Sequence, residues 1–540
     1  MSHETNGHGP NDGTETPVDA RADRGCSEPN RTAITGDADR DDSRTQRGRT
    51  PSTGRRGILV GLAGLVSGAA TVGSASAFDH DSDAPLPEIE GPIEGGSQTG
   101  GPQTAAVHDL DPYGYTEEEY FFSGTAREDT YFGPFGWFAD EADYKTRALV
   151  YRPSDPDDFN GHLLVDWSNV STGIDMPVTW INAYDYLMRE GYAVAAVSAQ
   201  EVGVDAEPPF DGIVTPEGEN LVSWDPERYG ESHHPGDDFA LDIFSQVVEG
   251  LRHGGEDDSG SPWDDGVTDP LDGLEVEYAL ATGQSQSAGY MAQLLEDVQE
   301  EYGNIDGYLP ATSAVTDPRD DLVPVVWLNS EDEAGGLFGG IGSEPPADSG
   351  QFRLWEVAGG SHVNYWLSSW NAAIVARDFE GEDPDWDPGA AGNFGEREDG
   401  EYGDCQGNHF PMRHAYRAAL EALRTWVEDG TAPDSTARIE REDGEVVTDE
   451  YGNAVGGVRL PPIDVPVAEY DARSCDLEGQ TVRFDAGTLA DLYGSTDDYV
   501  DAFAAAADEA VANGHLLPED ADDLVARAET VTVDDGDWPS

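Results

Sequence analysis

A mostly parallel, doubly wound α/β sheet is the fold that these 540 residues predict, on three observations. Nearly continuous apolar runs such as Ala193-Val194-Ala195-Ala196-Val197 suit strands covered on both faces. Such runs alternate with amphipathic helical stretches, the pattern of parallel strands joined by crossover helices. One run, Val276–Leu280, breaks into Ala281-Thr282-Gly283-Gln284-Ser285-Gln286-Ser287-Ala288-Gly289 before a helix. A strand that turns through small-x-Ser-x-small into a helix is a nucleophile elbow, and it sets the site at the C-terminal edge of the sheet.

Taken in order, residues 1–54 are polar, nearly devoid of apolar side chains, and read as a disordered leader. Arg55-Arg56-Gly57-Ile58-Leu59-Val60 then opens a Gly/Ala-rich apolar stretch closing on Ala75-Ser76-Ala77, which resembles a twin-arginine export signal with cleavage after Ala77; the alternative is an uncleaved membrane anchor over residues 57–77. The export machinery is therefore an expected partner and the mature chain is expected outside the cytoplasm, without a transmembrane segment. Residues 78–103 form a polar linker. Short antiparallel strands are expected at Glu119–Phe122 and Thr146–Tyr151, where buried and exposed positions alternate.

The doubly wound part follows. His162–Trp167 is a strand, Ser168–Gly173 a loop, and Trp180, Tyr184 and Leu187 mark a helix. After Ala193–Val197, a long loop through Trp224–Gly230 leads to a helix at Phe239–Leu251. Beyond the elbow come strands at Pro324–Leu328 and Phe352–Val357. Ala415, Ala418, Ala419, Ala422, Leu423 and Trp426 give residues 410–428 one apolar face, stopped by Gly430. Helices at 489–492, 499–512 and 518–528 make a helical C-terminal extension of about 485–530. Residues 104–540 thus read as one domain with insertions.

A serine nucleophile needs a base to take its proton and an acid to hold that base. In this architecture they follow the serine in the order acid, then His. Of the elbow serines Ser285 is preferred, because Gly283 ends the strand and Ser287 fills the second small position. His362 is the candidate base, since Ala358-Gly359-Gly360-Ser361 carries it off the end of the strand Phe352–Val357. His409 and His414 are weaker competitors. The acid belongs after Leu328, where Glu331, Asp332 and Glu333 compete. Oxyanion donors are expected from the N–H of Gln286 and from the loop after Trp167, with Asn169 and Val170 as candidates by position.

The chain holds 110 acidic and 29 basic residues, a formal charge of −81, and Lys145 is its single lysine. Molar salt shrinks the Debye length to about 3 Å and screens such self-repulsion. This is the composition of a protein working at high salt, and the absence of a basic patch argues against a nucleic-acid partner. Twelve Trp, 21 Tyr and 17 Phe set it apart from an acidic disordered chain. Cys26 lies in the leader, which leaves Cys405 and Cys475 as a possible pair. No metal or cofactor is expected. Trp167, Trp180, Trp224 and Trp355 are either core or the lining of an acyl pocket.

Several stretches together resemble a family of α/β-hydrolase-domain proteins whose substrates are largely uncharacterised. They are Thr146-Arg147, Phe159-Asn160-Gly161, Asp166-Trp167-Ser168-Asn169-Val170, Val197-Ser198-Ala199-Gln200 with Val202-Gly203-Val204, and Trp224–Gly230. Gly283-Gln284-Ser285-Gln286-Ser287-Ala288, Ala358–His362, Ala418-Ala419-Leu420 with Trp426-Val427, and Leu492-Tyr493-Gly494-Ser495 complete the set. The resemblance implies an α/β-hydrolase fold and use of the first serine of Ser-Gln-Ser. Counted from Pro324 as in similar hydrolases, Glu333 stands in the acid's place and Glu331 comes next; family members commonly carry Asp where this chain has Glu333. The expected activity is hydrolysis of a small-molecule ester through Ser285, His362 and Glu333. The alternative is a catalytically silent scaffold that binds a ligand or an envelope partner. Gly335–Gln351, rich in Gly and Pro, is a candidate lid or a solvated insertion.

Overall fold

The computed structural model describes residue 82 and residues 84–98, 101–131, 137–206, 220–253, 268–315, 319–336, 345–380, 407–475 and 477–533. The leader, the Arg55-Arg56 segment, Cys26, Cys405 and the middle of the candidate lid lie outside them. Cys475 is disulfide-bonded.

Among the described residues nine strands form the main sheet: β1 (Glu88–Glu90), β2 (Tyr115–Tyr131), β3 (Trp137–Pro153), β4 (His162–Trp167), β5 (Ala193–Val197), β6 (Tyr278–Gln284), β7 (Gly307–Ala311), β8 (Val325–Ser330) and β9 (Phe352–Val357). Their order is β1-β2-β3-β5-β4-β6-β7-β8-β9. From β5 to β9 every pairing is parallel, and β1, β2 and β3 join antiparallel at one edge. This is the α/β-hydrolase fold. β4 lies between β5 and β6, so the connections leaving β4 and β6 run to opposite sides of the sheet. Such a switch point opens a crevice at the strands' C-terminal ends.

The strand interiors divide by period two. Leu164, Val194, Ala196, Leu280, Leu309, Val326 and Leu328 enter one core cluster, while Val165, Ala195, Val197, Ala281, Tyr308 and Trp327 enter the other. Helix α1 (Val178–Arg189) packs on the first face. Helix α2 (Ala240–His253) and helix α3 (Gln286–Gln293) cover the second. Helix α4 (Tyr365–Val375) rests on α1, and helix α5 (Met412–Asp429) sets its apolar stripe on the first face. Each fully buried Leu or Val contributes about 1.5–3 kcal/mol. Helices α6 (Ala486–Tyr493), α7 (Thr496–Ala512) and α8 (Pro518–Ala528) extend the same cluster. Arg417 of α5 joins Asp520 of α8 at 2.5 Å and Asp185 of α1 at 2.6 Å. Among the described residues no helix is long and apolar enough to cross a membrane.

Three expectations change. The edge strands are not short: β2 and β3 form a hairpin of 17 residues each, of which only Ala148–Tyr151 pair with β5. The charged outer half, around Arg127-Glu128 and Asp140-Glu141, hides this length from an apolar pattern. The elbow strand ends not at Gly283 but one residue later, at Gln284, so the serine follows the last strand residue directly. Strand β7 is new; Gly307 and Pro310 disguise it. A Cβ at Gly307 would stand 2.8 Å from Val427 Cγ2, so close helix packing demands the glycine.

The four tryptophans are core. Trp167 stacks on Tyr290, Trp180 stacks on Tyr151, Trp355 meets the edge of His515, and the Trp224 indole donates to the Asp378 carbonyl; each is at most 4% exposed.

Candidate active site

β6 delivers Ser285 to the crevice with φ 61° and ψ −121°, a conformation that side chains rarely adopt. A Cβ on Gly283 would lie 2.9 Å from Ser287 Cβ and from the Ser287 carbonyl, so the tight turn excludes any larger residue there. Ser287 is fully buried, its hydroxyl directed at the Ser168 carbonyl. Ser285 stays partly exposed and lies with its Oγ 3.1 Å from His362 Nε2.

His362 arrives on the turn after β9. Gly359 adopts φ 78°, and a Cβ at Gly360 would meet Met412 Sδ at 2.8 Å. The imidazole, 4% exposed, places Nδ1 2.7 Å from Glu333 Oε1.

Glu333 sits on the helical turn Glu331–Ala334 that follows β8. Ser330 caps this turn, and Glu333 closes a capping box: its Oε2 accepts the Ser330 N–H at 2.9 Å and the Ser330 hydroxyl at 2.7 Å. The two carboxylate oxygens thus face different partners. Burial raises the Glu333 pKa, but the His362 hydrogen bond and charge and the two Ser330 donors outweigh it, and the net shift is downward.

The other two candidate acids hold the histidine's loop. Glu331 Oε2 accepts the Gly359 N–H at 2.9 Å, and its Oε1 pairs with Arg473 Nε at 3.1 Å. Asp332 Oδ2 accepts the backbone N–H of His362 at 2.8 Å. Burial pushes the Asp332 carboxyl up to about 8 against that hydrogen bond, and the charges of Glu333 and Glu331 push the same way. Among the described residues the carboxylate on the imidazole Nδ1 is Glu333, while Glu331 and Asp332 bond backbone N–H groups.

Two of the expected oxyanion donors are backbone N–H groups that make no hydrogen bond among the described residues. Gln286 opens α3, where the first N–H groups have no partner within the helix. Among the described residues the Val170 N–H has no hydrogen-bond partner. Asn169 departs from expectation, since its N–H is already bonded to the Met176 carbonyl at 2.9 Å. The loop's base is secured by Asp166, whose Oδ2 accepts the Thr179 and Trp180 N–H groups at the start of α1. Asp175, at its far end, accepts the Ser198 hydroxyl and lies 3.7 Å from the fully buried guanidinium of Arg147.

The competing histidines are engaged elsewhere: His409 stacks on Tyr365, and His414 is buried 3.2 Å from Asp520. Three supporting residues escaped the sequence reading. Gln284 Nε2 donates to the His362 carbonyl at 3.0 Å, Asn408 Nδ2 donates to the Gly359 carbonyl at 2.7 Å, and Ser330 orients Glu333. Only the last left a local signal, the Ser-x-x-Glu spacing of a capping box. Among the described residues no group of His, Cys, Asp and Glu side chains is arranged to hold a metal ion.

The sequence matches the α/β-hydrolase domain family over residues 89–526. Among solved structures it is similar to fungal esterases from Rhizomucor miehei, at 12% identity and TM-score 0.21, covering 40% of this chain and 49% of that one. It is also similar to an α/β serine hydrolase from Xanthomonas campestris, at 12% identity and TM-score 0.23, covering 47% of this chain and 91% of that one. A rice cell wall degrading esterase from Xanthomonas oryzae is 11% identical at TM-score 0.20, covering 37% of this chain and 43% of that one. The chain thus spans about half or less of the first esterases it resembles. No curated protein matches it.

Proposed function

The chain belongs to the α/β-hydrolase domain family, and from that premise we propose that it is an esterase that works by acyl transfer through Ser285. One observation carries the reading: Ser285 Oγ, His362 and Glu333 stand in a hydrogen-bonded line of 3.1 and 2.7 Å, with the serine held at φ 61° at the start of a helix. His362 Nε2 takes the hydroxyl proton as Oγ attacks the ester carbonyl. Glu333 keeps the proton on Nδ1 and balances the imidazolium. The N–H groups of Gln286 and Val170 hold the oxyanion. His362 then gives its proton to the departing alcohol, and water, deprotonated by the same nitrogen, releases the acid.

The proposal includes the setting. The excess of 110 acidic over 29 basic residues supports work in molar salt, and the Arg55-Arg56 segment supports export with loss of residues up to Ala77. The test is fluorophosphonate labelling in molar salt with peptide mapping. An adduct on Ser285, absent from Ser285→Ala, is the expected result; a folded protein that takes no label overturns the hydrolase reading in favour of a binding scaffold.

A further inference from the structure

Asn169 commits every polar group it owns. Its N–H donates to the Met176 carbonyl and its carbonyl accepts the Met176 N–H, both at 2.9 Å. Its Oδ1 accepts the Ser171 N–H at 2.9 Å, a turn that spans Val170. Its Nδ2 donates to the Gln284 carbonyl at 2.9 Å, one residue before Ser285. The paired register of β4 and β6 stops at Trp167 opposite Gly283, so the Asn169 amide adds one more rung where the backbone ladder has ended. Val170, enclosed by this turn and 4% exposed, is left with its N–H unpaired among the described residues.

We propose that Asn169 is the positioning residue of the oxyanion hole, an inference that rests on the esterase reading of Ser285. It does not bind the oxyanion. It joins the loop bearing the Val170 N–H to the last residue of β6, which leads directly into Ser285 and Gln286, and so fixes the separation of the two donors. Donors aimed at the tetrahedral oxygen rather than the ground-state carbonyl act on kcat more than on KM. Loosening this joint therefore weakens the transition state selectively.

The experiment compares Asn169→Ser, Asn169→Ala and Asn169→Asp in the full chain at molar salt. The readouts are kcat and KM on a neutral p-nitrophenyl ester, Ki for an alkylboronic acid, and the melting temperature. Asn169→Ser retains an acceptor for the Ser171 N–H but loses the reach to Gln284. It is expected to lower kcat at least tenfold with KM within twofold, and to raise the boronate Ki by a similar factor. Asn169→Asp sets a carboxylate oxygen against the Gln284 carbonyl and falls further. A folded Asn169→Ser with kcat within twofold of wild type overturns the proposal, as does a kcat loss with unchanged boronate affinity. If none of the variants folds, Asn169 is a folding element and the proposal is equally overturned. A wild type that neither labels nor turns over defeats the esterase reading instead, so the two failures are distinct.

Discussion

Replacing Glu333 with Gln keeps the size of the side chain and changes only which atom faces His362. The structure dictates the choice. The Oε2 position receives two donors, the Ser330 N–H at 2.9 Å and the Ser330 hydroxyl at 2.7 Å, so the amide oxygen settles there. The amide NH2 then points at His362 Nδ1, 2.7 Å away, and forces that nitrogen to accept. The proton moves to Nε2, which faces Ser285 Oγ at 3.1 Å and loses its capacity as a base. A tautomer error of this kind lowers kcat by about 10⁴, or about 5 kcal/mol of transition-state stabilisation. The assay is steady-state hydrolysis of a short p-nitrophenyl ester in molar salt, with Glu331→Gln and Asp332→Asn measured beside it. Those two keep an acceptor oxygen for the loop's N–H groups and leave the tautomer intact, so losses of about tenfold or less are expected. A Glu333→Gln enzyme keeping a tenth of its activity, or a larger loss from either neighbour, refutes the assignment.

Asp332→Asn makes a second prediction, on stability. A carboxyl held up to about 8 in the folded state and ionising near 4 when unfolded binds more protons folded than unfolded across that window. Its contribution is therefore full below about pH 4 and is lost as pH rises towards 8. Asn retains an acceptor for the His362 N–H and cannot ionise, so melting temperatures from pH 5 to 8 are expected to decline less in Asp332→Asn than in wild type; parallel profiles contradict this. Ser285→Gly and Ser285→Ala both abolish turnover, but glycine alone relieves the backbone at φ 61°. Denaturant unfolding is expected to find the glycine variant more stable than the alanine one by about 1–2 kcal/mol, and a reversed order removes strain from the account.

Strands β4, β5 and β8 are legible because burial on both faces leaves unbroken apolar runs. β7 is not, because what makes it a strand is the approach of α5 over Gly307, a contact about 120 residues away in sequence. Ser285 and His362 stand out through local backbone geometry, since small residues must flank the sharp turns that carry them. The choice among Glu331, Asp332 and Glu333 turns on which side chain a single helical turn directs inward, and composition says nothing of that. Arg147 is opaque for a related reason: in sequence it is one more charged residue, while in the fold it is buried against Glu119 and Asp175. The oxyanion loop could be placed only by position. That Asn169 is spent on Met176 and Gln284 is a matter of tertiary contact.

The two-sided use of Glu333 also bears on how the protein can vary by descent. Each oxygen answers to a different master, the imidazole on one side and the capped turn on the other. A shorter Asp at this position reaches only one of them, so a lineage that began with Glu on this turn is held to it. Ser330 shares the constraint, because a residue without its hydroxyl removes one of the two donors that hold Glu333 Oε2 and leaves the backbone N–H alone. Change at either position therefore alters what the other must do, and a paired replacement that rebuilds the start of the turn is the simplest path between the two acids.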